Sequence, residues 1–146
     1  MRQLLFRVIG ILQIAGGLFG LAAMIQRLYP WGMRADVIIA ILGALAFGFI
    51  LVSGVLLIEG RESGVRLSRW AQLLQLPLIA TPWFSYSLHA GAFANVLVLV
   101  HKPLGLVYSF GLADYHWLAA IAGPSTPRIG INVVALIAWL VLRLRR

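Results

Sequence analysis

Hydrophobic positions in this chain come in long unbroken runs, and the charged positions gather between them. Four runs approach the roughly 20 residues that a helix needs to cross about 30 Å of hydrocarbon. The first extends from Leu4 to about Gln26 and is closed by Arg27 and Tyr29-Pro30. The second, Val37 to Ile58, carries no charge. The third opens at Arg69-Trp70 and reaches about Leu88, with Pro77 and Pro82 inside it as expected bends. The fourth opens at Thr126-Pro127, a cap followed by a proline suited to a first helical turn. It closes on Arg143, Arg145 and Arg146. The pattern predicts spans over 4–26, 37–58, 69–88 and 127–144.

The stretch 90–123 reads differently. Residues 93–100, FANVLVLV, are valine-rich and too few for a helical span. Leu106, Tyr108, Phe110 and Leu112 then alternate with Val107, Ser109 and Gly111, a period of two. After Leu112 the phase flips, and Tyr115, Trp117 and Ile121 become the large residues. A flip marks a turn or a bulge. This predicts short strands near 93–100, 105–112 and 114–121, with a re-entrant helical hairpin as the rival. A fifth span is excluded because Lys102 would lie inside it, at about 2.5–3.5 kcal/mol on insertion scales. Lys102 is expected in a water-exposed turn. The expected fold is therefore an all-α membrane protein: one polytopic domain, a four-helix transmembrane bundle with a small extracytoplasmic cap, β meander or hairpin, between helices 3 and 4.

Composition strengthens the membrane reading. Of 146 residues, 62% are hydrophobic and 11% charged, and mean hydropathy is +0.96. A soluble domain of this size carries more charge on its surface. With no cysteine, disulfides, thiolate metal sites and CxxC redox chemistry are excluded. The net charge of +8 resides mainly in arginines beside apolar runs, which suits anionic lipid and not nucleic acid. Arg2, Arg7, Arg61, Arg66, Arg69, Arg143, Arg145 and Arg146 fall on one side of such a bundle. Arg27, Arg34, Lys102 and Arg128 fall on the other. Eight against four predicts a cell inner membrane location with both termini cytoplasmic. The first run holds Arg7 and Gln13 and lacks an A-x-A site, so it is expected to stay as an anchor.

Candidate chemistry is sparse. No Asp, Glu, Lys or His lies within a predicted helix centre, which argues against a proton-coupled pump. Gln13, Ser53, Gln72, Gln75 and Asn132 form an expected intramembrane polar layer, read first as interhelical hydrogen bonds. Gly16 and Gly20, with Ala40, Ala44 and Gly48, offer small-residue packing faces. Trp83, Tyr86, Tyr108 and Trp117 are candidate contacts for a hydrophobic ligand. Arg61, Arg66, Arg69, Arg143, Arg145 and Arg146 are candidates for headgroup binding.

His89, His101, Asp114 and His116 are a weak zinc candidate, because their spacing matches no motif. Ser109, His116 and Asp114 can be drawn as a triad, but no nucleophile elbow surrounds Ser109. No catalytic residue and no cofactor is assigned. The first expectation is a non-enzymatic accessory, immunity or scaffold subunit with membrane lipid, a second copy or another subunit as partner. The alternative is a binding or transport module for a lipid or other hydrophobic molecule, and the third a metal-dependent enzyme.

Overall fold

A computed structural model describes residues 2–29, 34–101 and 103–144, with the side chains at 2, 34 and 35 excepted. The expectations for Lys102, Arg145 and Arg146 therefore lie outside the described residues. The first two apolar runs are the helices α1 (Arg2–Arg27) and α2 (Arg34–Ile58). Each is about 38 Å long at 1.5 Å per residue. Both are long and apolar enough to cross a membrane. They cross closely at glycines: a Cβ on Gly54 would lie 2.9 Å from the Gly10 carbonyl, and one on Gly17 would lie 2.8 Å from the Leu51 amide. Gly60, at φ +74, ends α2. Its amide donates to Leu57 and that of Arg61 to Leu56, the paired bonds of a Schellman stop.

The remaining helices are short. α3 (Glu62–Gln75) has 14 residues and buries Gly64, Val65, Ser68, Ala71, Gln72 and Gln75, a stripe at helical spacing. Pro77 has no amide to donate, so the helix stops before it. Proline is tolerated as the first residue of a strand, and β1 (Pro77–Ala80) begins there. Pro82 lies in the turn that follows, where Thr81 and Phe84 bond to each other. The chain continues as β2 (Ser85–Leu99), β3 (Gly105–Ala120), β4 (Arg128–Asn132) and α4 (Val133–Arg143).

This overturns the all-α reading and with it the polytopic four-helix bundle. Among the described residues four helices accompany a four-stranded antiparallel sheet, and only two of the helices are long and apolar enough to span. The third run fails because Pro77 terminates the helix and does not merely bend it. The fourth fails because Arg128–Asn132 pairs as a strand. Asn132 then caps an 11-residue helix in place of Thr126, its side chain accepting from the amides of Val134 and Ala135.

The sheet has the order β1-β4-β2-β3, and β1 also pairs with β2. That extra pairing forces a sharp bend. Ser85 pairs with Ala80, Ala80 with Arg128, and Arg128 with Leu99. Three interstrand steps of about 5 Å bring the ends of β2 within about 15 Å, whereas straight strand would separate them by about 46 Å. The register of β2 against β3 shifts between Gly91 and Phe93, with Gly91 at φ +92 and Ala113 at φ 55. This bulge is the phase flip seen in the sequence. Residues 114–120 are thus a continuation of β3 and not a separate third strand.

Two cores result. Met24, Phe47, Ile50, Ala71, Leu88 and Ala90 join α1, α2 and α3 to β2. Ile9, Leu57, Val65, Ala138 and Leu142 join the four helices where α1 begins and α2 ends.

Candidate functional site

Along β2 the odd-numbered residues share one face, because strand side chains alternate. Folding β2 back on itself turns that face inward. Ser87, His89, Phe93, Asn95 and Leu97 line a cavity of about 280 Å³. From β3 come Leu118, His116 and Ser109, which stand opposite Ser87, His89 and Asn95 in the ladder. Leu78, Ile79 and Ala80 of β1 close it.

His89 is the focus. It is 6% exposed, its ring stacked on Phe93 at 3.9 Å between centroids and on His116 at 5.3 Å. Its Nε2 is 3.9 Å from the nearer Asp114 carboxylate oxygen, too far for a hydrogen bond. Among the described residues neither ring nitrogen, both buried, has a hydrogen-bond partner, and Oδ1 of Asn95 has none either. Burial, helped by the neighbouring His116 and opposed by Asp114, pushes the His89 pKa down to about 4. The ring is neutral at pH 7, so it offers one donor and one acceptor. Buried polar atoms left unpaired cost about 1–3 kcal/mol each. The cavity is mostly apolar, with a few unsatisfied polar points.

The other expected site residues distribute as follows. Of the candidate metal ligands, His89, His116 and Asp114 lie side by side, but among the described residues no three His, Asp or Glu groups form a metal-holding set. His101 sits in the β2–β3 turn with Nδ1 2.6 Å from the Pro103 carbonyl. The four candidate aromatics do not share a lining. Tyr86 and Trp117 pack edge to face and are anchored by hydrogen bonds to the carbonyls of Leu74 and Ile39. Trp83 is 83% exposed in the β1–β2 turn, and Tyr108 is 74% exposed on the outer face of β3. Of the four, only Tyr86 reaches the cavity.

Gln13, Ser53, Gln72, Gln75 and Asn132 are all buried, and most act as ties. Ser68, which the sequence reading missed, lies 2.9 Å from Gln13 Oε1 and 3.1 Å from the Ser53 carbonyl. Its place on the buried stripe of α3 was the available signal. Gln75 accepts from the Ala90 amide of β2, and Asn132 accepts from that of Ala94. In the small-residue sets, Gly16 meets the β2 backbone and Gly20 the Phe47 ring. Ala40 and Ala44 pack inward, while Gly48 faces open space.

At the other end, Arg61 is paired with Glu59 at 2.7 Å, and Arg66, Arg69 and Arg143 line a second cavity. Ending a helix at Leu88 hid that β2 begins at Ser85, so His89, a weak metal candidate, and Asn95, inside the expected strand 93–100, were not read as one pocket lining. Their odd-position spacing with Ser85 and Ser87 was the signal that could have found them.

The chain matches no protein-family model, no curated protein and no solved structure.

Proposed function

We propose that this protein is a membrane-inserted binding module for a small, largely apolar molecule that carries a hydrogen-bonding group. The observation that carries the reading is the cavity inside the bent β2, where His89 and Asn95 present unsatisfied polar atoms among apolar walls. Binding sites combine an apolar lining with a few fixed polar groups in this way. Nothing among these residues supplies a nucleophile bonded to a base, so the reading is binding and not catalysis.

Membrane insertion is part of the proposal. Only 39% and 33% of the most apolar windows of α1 and α2 are buried within the fold. Their remaining apolar surface is matched by lipid. Two crossings still gather Arg7, Arg61, Arg66, Arg69 and Arg143, among the described residues, at one end, since α3 and α4 return to the end where α1 starts. Both termini then face the cytoplasm of a cell with this inner membrane. A cysteine replacing Ser63 in this cysteine-free chain should resist an impermeant maleimide in intact cells and react once they are opened.

The test of binding is chemical. Protein purified in mild detergent is extracted with organic solvent and analysed by mass spectrometry, beside His89→Leu and Asn95→Leu. A molecule released stoichiometrically by the wild type and lost from both folded variants supports the reading. Equal recovery from all three, or none from any, defeats it.

A second reading, an assembly subunit, has one observation of its own. β3 is the outer strand of the sheet, and Leu106, Tyr108, Phe110 and Leu112 beside that edge are 67–80% exposed. An open edge in lipid leaves backbone groups unpaired, and a strand from a second copy would satisfy them. Disulfide-linked dimers of Phe110→Cys, formed in membranes before extraction, would favour it. Purely monomeric product would count against it.

A further inference from the structure

We propose a second binding site, for a phosphate-bearing anion, in the cavity between the first turns of α3 and the last turn of α4. The cavity measures about 340 Å³. Arg66 and Arg69 enter it from α3 and Arg143 from α4, over a floor of Val65 and Leu142, with Glu62 as the one acidic lining residue among the described residues. Positions 62, 66 and 69 lie on one side of a helix, at spacings of four and three. The two short helices are fixed against each other through the core that contains Val65 and Leu142, which are 7% and 1% exposed. The floor is therefore rigid. Arg143 is held over the Trp139 ring at 4.8 Å, a cation–π contact that restrains its guanidinium.

Three guanidinium groups against one carboxylate make an anion site. Each guanidinium presents a planar fork of donors that matches phosphate oxygens. Arg61 behaves differently, because Glu59 already neutralises it. The sequence treated these arginines as one diffuse basic layer; the structure separates a built site from its surroundings. The source we assign is a phospholipid headgroup and not a soluble phosphate. The site lies where α1 begins and α2 ends, at the level of a bilayer surface, and Val65 and Leu142 give it an apolar floor. That assignment of source rests on the membrane reading, while the anion site itself does not.

The experiment uses full-length protein in non-ionic detergent, delipidated and then titrated with phosphatidylglycerol or phosphatidylcholine, with bound lipid counted by native mass spectrometry. One phosphatidylglycerol per chain should be retained in preference to phosphatidylcholine. Arg66→Gln, Arg69→Gln and Arg143→Gln should each weaken retention about fivefold, the contribution of one surface arginine to anionic lipid binding. Arg61→Gln should leave it unchanged. Equal retention of the two lipids, or equal loss in Arg61→Gln, overturns the site. If a variant does not fold, the comparison of two lipids on the wild type still decides. A further arm adds inorganic phosphate. Displacement of phosphatidylglycerol at millimolar phosphate overturns the lipid assignment and leaves a soluble-anion site. Maleimide labelling at position 63 reports separately on the membrane reading, so the two failures are distinguishable.

Discussion

Gly16 of α1 and Gly91 of β2 meet backbone to backbone: a Cβ on Gly16 would collide with the Gly91 amide nitrogen, and one on Gly91 with the Leu12 carbonyl. A helix and a strand pack this closely only where neither carries a side chain. The contact sets the bend of β2 against α1, and so it also shapes the cavity behind it.

Gly16→Ala should therefore destabilise the protein by about 2 kcal/mol, within the range for overpacking a tight contact. Gly48→Ala is the control, because its Cβ meets nothing within 4 Å. It should be neutral or slightly stabilising through helix propensity. Thermal melts in one detergent compare the two. Equal melting points would show that the close approach is not needed.

Acid should loosen the sheet. His89 has its pKa pushed down to about 4 in the fold, below the ordinary value near 6.5. Folding therefore favours the neutral ring. Its contribution is complete above about pH 6.5 and is lost as pH falls through about 4, a decline on the order of 3 kcal/mol. His89→Asn should flatten that part of the stability profile. A profile of the same steepness in the variant would place the acid response elsewhere.

Asn132 joins two structures, capping α4 and accepting from Ala94 of β2. Asn132→Ala should cost about 2 kcal/mol, at the upper end for a lost cap because a buried strand amide is orphaned too. Asn132→Asp keeps the accepting oxygen and should recover most of the loss. Urea midpoints for the two variants make the comparison. Similar midpoints would mean that packing, and not the hydrogen bonds, holds β4 to α4.

Ser68→Ala should cost about 1–3 kcal/mol, since Gln13 then has both side-chain polar atoms buried and unpaired. Adding Gln13→Leu should return much of the stability. A double variant no better than Ser68→Ala would show that Gln13 finds other partners.

What the sequence disclosed depended on how local each signal was. α1 and α2 were legible because their apolar runs need no distant partner to be helical. The bulge at Ala113 was legible as a change of phase, although its role in bending a single strand was not. The third and fourth runs misled because hydropathy measures lipid compatibility and not conformation. Pro77 ends a helix in one context and kinks it in another, and here the pairing of Pro77 with Ile131 decides. That pairing spans more than fifty residues, beyond any sequence window. The same distance hid the cavity, since His89 and Leu78 become neighbours only after β1 has found β4.

The hydrogen bond from the Asn132 amide to the Leu76 carbonyl ties a knot-free loop whose two ends meet at one point. The pairings of β4 with β1 and β2 can form only as that point closes, and closure over such a length is slow because many conformations must be given up. The α1–α2 hairpin needs only neighbouring sequence to assemble. Biogenesis thus has an order built into it: a helical hairpin is ready early, and the sheet is latched only once Arg128–Asn132 has been made.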